Sequence, residues 1–166
     1  LRRLTGGLYF FEQERDIISR PVHRITDTKD DDYDTKSTDN INIRELLIDF
    51  GIKAKVGRFE GQDSWFGKIE QAFNYVCAPR KLLEVYADSD AEYKIDFSDG
   101  QGLTYGFDGL SSGERSVLNF LIHYVYKRMY NSIVLIDELE LHLHPTWQRR
   151  LIDSLVNFND GNQFII

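Results

Sequence analysis

The sequence predicts an α/β fold with a mainly parallel sheet, a β-hairpin and flanking helices. The run SIVLI at 132–136 is almost entirely aliphatic, which is typical of a central parallel strand covered on both faces. The longest helical pattern, from Ser111 to about Tyr130, precedes this strand. A second helix is expected after Pro145, because proline is favoured at the first helical position. The final QFII would then form the neighbouring parallel strand through a right-handed crossover.

Both helices carry a broad apolar face at helical spacing, which predicts that these faces are buried in the core. The first helix presents Val117, Leu118, Leu121, Ile122 and Val125, and the second presents Trp147, Leu151, Ile152 and Leu155. These helices and the strands beside them predict half of an α/β core.

The N-terminal half predicts a strand, two helices and a hairpin. The aromatic run LYFF at 8–11 suits a short buried strand, and INIRELLIDF at 41–50 predicts a helix that stops at Gly51. A further helix is expected behind Asp63 and Ser64 as caps. Its core-facing stripe consists of Trp65, Ile69, Phe73 and Val76. Alternating apolar residues on both sides of the turn SDGQG then predict the hairpin. They are Tyr93, Ile95, Phe97, Leu103, Tyr105 and Phe107.

The composition describes a chain that can bury one core and carries an acidic balance. Of its 166 residues, 42% are hydrophobic, and 20 basic against 27 acidic side chains give a formal charge of -7. The chain as a whole therefore attracts a phosphate backbone weakly, and any DNA contact is expected through segments outside it. Cys77 is the single cysteine, so an internal disulfide is excluded. No run approaches the roughly 18 apolar residues of a membrane helix, so we expect a cytoplasmic protein without a membrane partner.

The two ends of the chain and an acidic segment near its start are also informative. The chain opens on Leu1 without an initiator methionine and stops on GNQFII, from which we expect a part of a longer protein. The segment 27–40, DTKDDDYDTKSTDN, holds six aspartates and no apolar residue except Tyr33. Such a composition favours a solvated acidic loop over a metal-binding tract.

The motif LSSGE at 110–114 lies where a loop enters the long helix. Free backbone N–H groups and hydroxyls at such a terminus attract anions. Ser111 and Glu114 also form the S-x-x-E capping box that starts many helices with no ligand. The motif alone leaves both interpretations open.

The DE pair, Asp137 and Glu138, follows the aliphatic strand at its carboxyl end, which is where open α/β sheets place ligand sites. Asp137 is suited to hold Mg²⁺, because this hard cation takes oxygen ligands and shares them with substrate phosphates. Glu138 is suited to orient and deprotonate an attacking water. Two ordinary acids at a solvated strand end remain the alternative.

Asp137 follows Glu114 by 23 positions, with one predicted helix between the two motifs. This order and spacing resemble the signature motif and Walker B box of ABC-type ATPases, which are P-loop NTPases. The sequence LHLHP after the DE pair makes the chain more similar to the RecF-like, SMC-like and overcoming-lysogenization-defect (OLD)-like branch, which belongs to the broad group called AAA family ATP-binding proteins. Within that branch it resembles the ATPases of bacterial anti-phage systems such as Septu and retrons. The specific match covers residues 107–166.

The resemblance implies a division of the chain and roles for its residues. Residues 1–106 would be a partial ATPase lobe, with the acidic loop 27–40 and a helical segment 41–78. Residues 107–166 would hold the signature motif, the Walker B strand and the helix and strand that follow. Ser111, Ser112, Gly113 and Glu114 would form the surface that contacts ATP bound to the opposite subunit. Asp137 would serve Mg²⁺, and Glu138 would be the catalytic base.

Other expected parts of such a site are weaker or absent in this sequence. No G-x-x-x-x-G-K-S/T loop occurs, so we expect the chain alone to be inactive. Gln13 is the candidate for the family's glutamine loop. His142 and His144 occupy the loop after Walker B, where transporter-type relatives carry an aspartate, and they are also conceivable metal ligands.

The predicted function is therefore part of an ATP-hydrolysing ABC-type ATPase that dimerises around ATP and Mg²⁺, in DNA maintenance or anti-phage defence. The expected partners are a second copy through the ATP site, an effector nuclease or toxin, and DNA. The alternative is a scaffold that binds nucleotide without hydrolysing it and holds an effector protein.

Overall fold

The computed structural model describes residues 7–11, 42–55, 65–137, 139, 143–158 and 161–166. The acidic segment 27–40 and the predicted caps Asp63 and Ser64 lie outside these residues. The strands are β1 (Leu8–Phe11), β2 (Lys81–Ala87), β3 (Tyr93–Ser98), β4 (Thr104–Gly106), β5 (Ile133–Ile136) and β6 (Gln163–Ile165). The helices are α1 (Ile43–Lys55), α2 (Trp65–Val76), α3 (Ser112–Tyr126) and α4 (Pro145–Asn157), with a 3₁₀ turn at Phe107–Gly109. This arrangement confirms the predicted α/β class, and none of these helices is long and apolar enough to cross a membrane.

A parallel sheet with the strand order β1-β5-β6 forms the first layer. Phe11 pairs with Ile136 across β1 and β5, and Val134 pairs with Phe164 across β5 and β6. β5 is therefore the central strand, and its Val134 and Ile136 are buried, as the aliphatic run predicts. The prediction that QFII forms the neighbouring parallel strand is confirmed.

The second sheet is antiparallel and has the strand order β2-β3-β4. The predicted hairpin is confirmed, with Phe97 opposite Tyr105 and Ser98 opposite Thr104. Phe107 departs from the prediction, because it begins the 3₁₀ turn instead of extending β4. The hairpin's other neighbour, β2, was not predicted from the sequence.

Helix α2 packs against both α3 and α4, and most residues of the predicted apolar faces are buried. Ile69, Phe73 and Val76 of α2 and all five named residues of the α3 face are buried, as are Leu151 and Leu155 of α4. Trp65, Trp147 and Ile152 are partly buried against the same core. α3 ends at Tyr126, earlier than the predicted Tyr130, and Arg128 just beyond it has a positive φ of 49° that cannot continue a right-handed helix.

Gly51 does not end α1, so the prediction that this helix stops at Gly51 was wrong. α1 continues to Lys55. A Cβ atom at position 51 would lie 2.4 Å from Cγ2 of Val85 on β2. Glycine costs only about 1 kcal/mol in a helix interior, and here its missing side chain allows α1 to approach the antiparallel sheet.

Candidate functional site

The start of α3 is built by a complete capping box. Ser111 is the N-cap, and its Oγ accepts a hydrogen bond from the Glu114 backbone N–H at 3.3 Å. The Ser111 backbone N–H donates in return to Oε2 of Glu114 at 2.8 Å. Ser111 and Ser112 are exposed, whereas Gly113 and Glu114 are buried. The first turn of the helix therefore presents two serines to solvent from a fixed backbone.

Arg115 holds the loop that leads into this helix. Its Nε donates to the Leu110 carbonyl at 3.1 Å, and its Nη2 donates to the Asp108 carbonyl at 2.8 Å. The Leu110 side chain is buried in the core. These contacts fix the loop that leads to Ser111.

Glu114 is a buried carboxylate with three different partners. Besides Ser111, its Oε1 accepts a hydrogen bond from the Tyr105 phenol at 2.6 Å and lies 3.1 Å from Nε of Arg80. Burial alone would raise the pKa of Glu114, but the hydrogen bonds from Ser111 and Tyr105 and the charge of Arg80 together lower it. The side chain is therefore ionised at neutral pH and fully engaged within the chain. Its contacts hold Ser111 in place.

Asp137 lies at the carboxyl edge of the parallel sheet, directly after the central strand β5. Its backbone N–H donates to the Phe11 carbonyl at 3.0 Å, and its side chain is exposed. Leu139 and Leu143, which lie between Asp137 and α4 in the sequence, are buried. An exposed carboxylate at this edge is the donor type that Mg²⁺ prefers, so the residue present fits that ion.

β1 ends at the same edge as β5, because Phe11 pairs in parallel with Ile136. Gln13 follows Phe11 by two positions in the sequence. The structure therefore brings the end of the strand before Gln13 beside Asp137. Gln13, Glu138 and His142 themselves lie outside the described residues.

His144 has a structural contact at the start of α4. It is the N-cap of this helix, and its Nδ1 accepts a hydrogen bond from the Thr146 backbone N–H at 3.2 Å. Across the described ranges, no group of three or more His, Cys, Asp or Glu side chains is placed to hold a metal ion. Nδ1 of His144 is therefore engaged in capping α4.

Sequence reasoning missed Arg80 and the role of Tyr105 in this region. Tyr105 was recognised only as a strand residue, and Arg80 belongs to no motif. The one usable signal was Glu114 itself, because a buried carboxylate in a capping box requires donors or a counter-charge. The sequence contains 20 basic residues and does not indicate which of them supplies it.

Comparisons with known proteins agree with the resemblance stated above. Residues 5–166 match the family described as "AAA domain, putative AbiEii toxin, Type IV TA system". The chain is 36% identical over 74 residues to the Septu protein PtuA of Bacillus thuringiensis, covering 36% of this chain and 18% of that protein. It is 53% identical over 34 residues to the Retron Vc95 probable ATPase of Vibrio cholerae, covering 20% and 7% of the two chains. It is 38% identical over 69 residues to the Retron Ec83 probable ATPase of Escherichia coli, covering 34% and 12%.

These matches confirm the predicted resemblance to Septu and retron-associated ATPases. The matching segments span less than a fifth of the length of each relative.

Proposed function

Because this chain belongs to that AAA domain family, we propose that it is part of an ATP-binding and ATP-hydrolysing ABC-type ATPase that dimerises around ATP. The names of two relatives, both probable ATPases of retrons, support the activity. The same names and the Septu relative support a role in anti-phage defence. The small share of each relative that is matched supports a longer parent protein.

The observation that carries the proposal is the position of Asp137. An exposed carboxylate directly after the central strand of a parallel sheet stands where open α/β folds bind their ligands. In the proposed site Asp137 holds Mg²⁺, which when bound neutralises charge on the phosphates of ATP. Glu138, the next residue, orients the attacking water and accepts its proton.

The start of α3 is the second half of the proposed site. Ser111, Ser112 and Gly113 face the γ-phosphate of ATP held by the opposite subunit, since a helix start offers backbone N–H groups to an anion and Ser112 adds a hydroxyl. Glu114 contributes by holding Ser111, because its carboxylate is already bonded inside the chain.

Other residues complete the proposal with smaller roles. Gln13 is placed in the glutamine loop, which the parallel pairing of β1 with β5 supports. His144 sets the start of α4, and His142 precedes it by two positions in the sequence. The division at residue 107 remains a prediction, as do contacts with an effector nuclease or toxin and with DNA.

ATP turnover by the full-length protein tests the proposed base and metal ligand. Glu138→Gln and Asp137→Asn should each lower kcat by about 100-fold or more, in line with the usual loss when a general base or a metal ligand is removed. Asp153→Asn is the matched control, because Asp153 is an exposed acid on α4. Wild-type turnover by Glu138→Gln would remove Glu138 as the base and favour the scaffold that binds nucleotide without hydrolysing it.

Mixing two inactive variants tests whether each ATP site is shared between subunits. One variant carries Ser112→Arg, which blocks the helix start, and the other carries Glu138→Gln. In a shared arrangement a mixed dimer keeps one intact site, so an equal mixture should recover about a quarter of wild-type turnover. If each site used one subunit only, no activity would return.

A further inference from the structure

Arg80 lies between two parts of the proposed ATPase that are distant in sequence. Its Nε is 3.1 Å from Oε1 of Glu114, whose other oxygen receives the Ser111 backbone N–H. Its guanidinium carbon also lies 5.6 Å from the centroid of the Trp147 ring. One side chain therefore contacts the capping box of α3 and the first turn of α4.

Trp147 belongs to a set of contacts between the first turn of α4 and the residues just before that helix. Trp147 lies in the first turn of α4, and its backbone N–H donates to the His144 carbonyl at 2.7 Å. Gln148, beside it, donates from Nε2 to the carbonyl of buried Leu143 at 3.0 Å. The first turn of α4 and the end of the loop are thus tied together.

We propose that Arg80 is a positioning residue that links the helix start carrying Ser111 to the first turn of α4. The inference rests on the proposed function, in which these two parts serve different ATP sites of the dimer. Ser111 faces the ATP of the partner, whereas α4 follows the Asp137 loop of the subunit's own site. Arg80 holds the two surfaces in the relative position that association around ATP requires.

The chemistry of arginine suits both contacts at once. A guanidinium is planar and can donate in its plane to a carboxylate while its face lies against an aromatic ring. A lysine ammonium is a point charge, so it can neutralise Glu114 but cannot also present a flat face to Trp147. Arg80→Lys therefore keeps the positive charge beside Glu114 and removes the contact with Trp147.

Fluorescence tests the link without nucleotide. Trp65 and Trp147 are the two tryptophans of the chain, so Trp65→Phe leaves Trp147 as the single reporter among these residues. In the full-length protein any further tryptophan is also replaced. Arg80→Met should change the emission of Trp147, and Glu114→Gln should change it as well, because Glu114 orients Arg80. Unchanged Trp147 emission in folded Glu114→Gln would overturn the link.

ATP-dependent association tests the consequence for function. Full-length protein carrying Glu138→Gln is used, because the proposed function expects it to bind ATP without hydrolysing it, and its association is followed by analytical ultracentrifugation with Mg-ATP. Arg80→Met should weaken association roughly tenfold, within the usual range of coupling between sites, while ATP affinity of the single subunit stays unchanged. Compared with Arg80→Met, Arg80→Lys should restore the stability of the fold, because it supplies a charge to Glu114, but association should stay weak.

Arg150→Met is the matched control. Arg150 lies on α4, and its guanidinium carbon is 5.8 Å from the centroid of the Tyr75 ring, which resembles the Arg80 contact. This variant should associate like the parent. Association restored by Arg80→Lys, or lost equally in Arg150→Met, would overturn the inference. Absence of ATP-dependent association in the parent itself would overturn the proposed function and this inference with it, whereas the fluorescence result would still report on the link.

Discussion

The phenol of Tyr105 donates a 2.6 Å hydrogen bond to Oε1 of Glu114, which joins the hairpin to the start of α3. Burial raises the pKa of Tyr105, and the neighbouring carboxylate raises it further, so the phenol keeps its proton and remains a donor. The motif LSSGE is therefore supported by a residue of the preceding strand. Because Glu114 also binds Ser111, Tyr105 is connected through Glu114 to the proposed ATP surface.

Tyr105→Phe should destabilise the protein by about 1.5–3 kcal/mol, since it removes a hydrogen bond to a buried charged group. The free energy of unfolding is measured by urea denaturation. Tyr93→Phe is the control, because Tyr93 lies in the same sheet and is 51% exposed. Equal and small effects of the two substitutions would show that the Tyr105 phenol does not support Glu114.

Gly51→Ala should destabilise the protein by about 1–3 kcal/mol, the usual cost of overfilling a packed core. The added Cβ would lie 2.4 Å from Cγ2 of Val85 and 2.9 Å from its Cβ, so α1 must move away from β2. An alanine would otherwise favour the helix, so a stabilised variant would contradict the close packing seen here. Thermal and urea denaturation measure the change.

Gly106→Ala is the control for that substitution. A Cβ at position 106 meets no atom of the described part of the chain within 4 Å, and the backbone φ of -80° suits an alanine. Its free energy of unfolding should stay close to the wild-type value.

The fold was predictable where local patterns and packing agree. The unbroken aliphatic run of β5 predicts a strand covered on both faces, and Val134 and Ile136 are buried as expected. Pro145 begins α4, as its fixed φ favours. These elements frame the proposed site, so its location at the sheet edge could also be predicted.

The parts that the sequence did not predict depend on contacts distant in the chain. β2 was missed because its buried residues Leu82 and Val85 are three positions apart, across a register shift, and so break the strand alternation. Gly51 indicated a helix end by propensity, but its packing against Val85 outweighs that preference. The Arg80–Glu114 pair joins residues 34 positions apart, which no local motif reveals.

Asn162→Ala should destabilise the protein by about 1–3 kcal/mol, because the amide joins three buried or partly buried groups. Its Oδ1 accepts from the Ser132 backbone N–H at 2.8 Å, and its Nδ2 donates to the Tyr124 phenol and the Met129 carbonyl, each at 2.6 Å. These bonds hold the entry to β5 against the end of α3. Asn157→Ala, at an exposed position on α4, should change the free energy of unfolding little.

His123 is a buried histidine on α3 that titrates at an unusual pH. Its side chain is 5% exposed, and its Nδ1 has no hydrogen-bond partner among the residues that the structure describes. Burial, together with a smaller effect of the Lys127 charge, lowers the pKa of His123 from 6.5 to about 4. The folded protein therefore holds this imidazole neutral at a pH where the unfolded chain protonates it.

This difference predicts that stability falls as pH decreases from 6.5 towards 4, because the unfolded state then binds the extra proton. The loss attributable to His123 over this interval should reach ~3 kcal/mol, from ~1.4 kcal/mol per pKa unit. Urea denaturation across this range should show the slope in wild type and in Leu121→Ala, which is less stable at every pH. His123→Gln should lack this slope above about pH 4.5. Below that pH Glu114 also contributes, because its pKa is lowered from 4.5 in the folded protein. An unchanged slope in His123→Gln would assign the titration to another group.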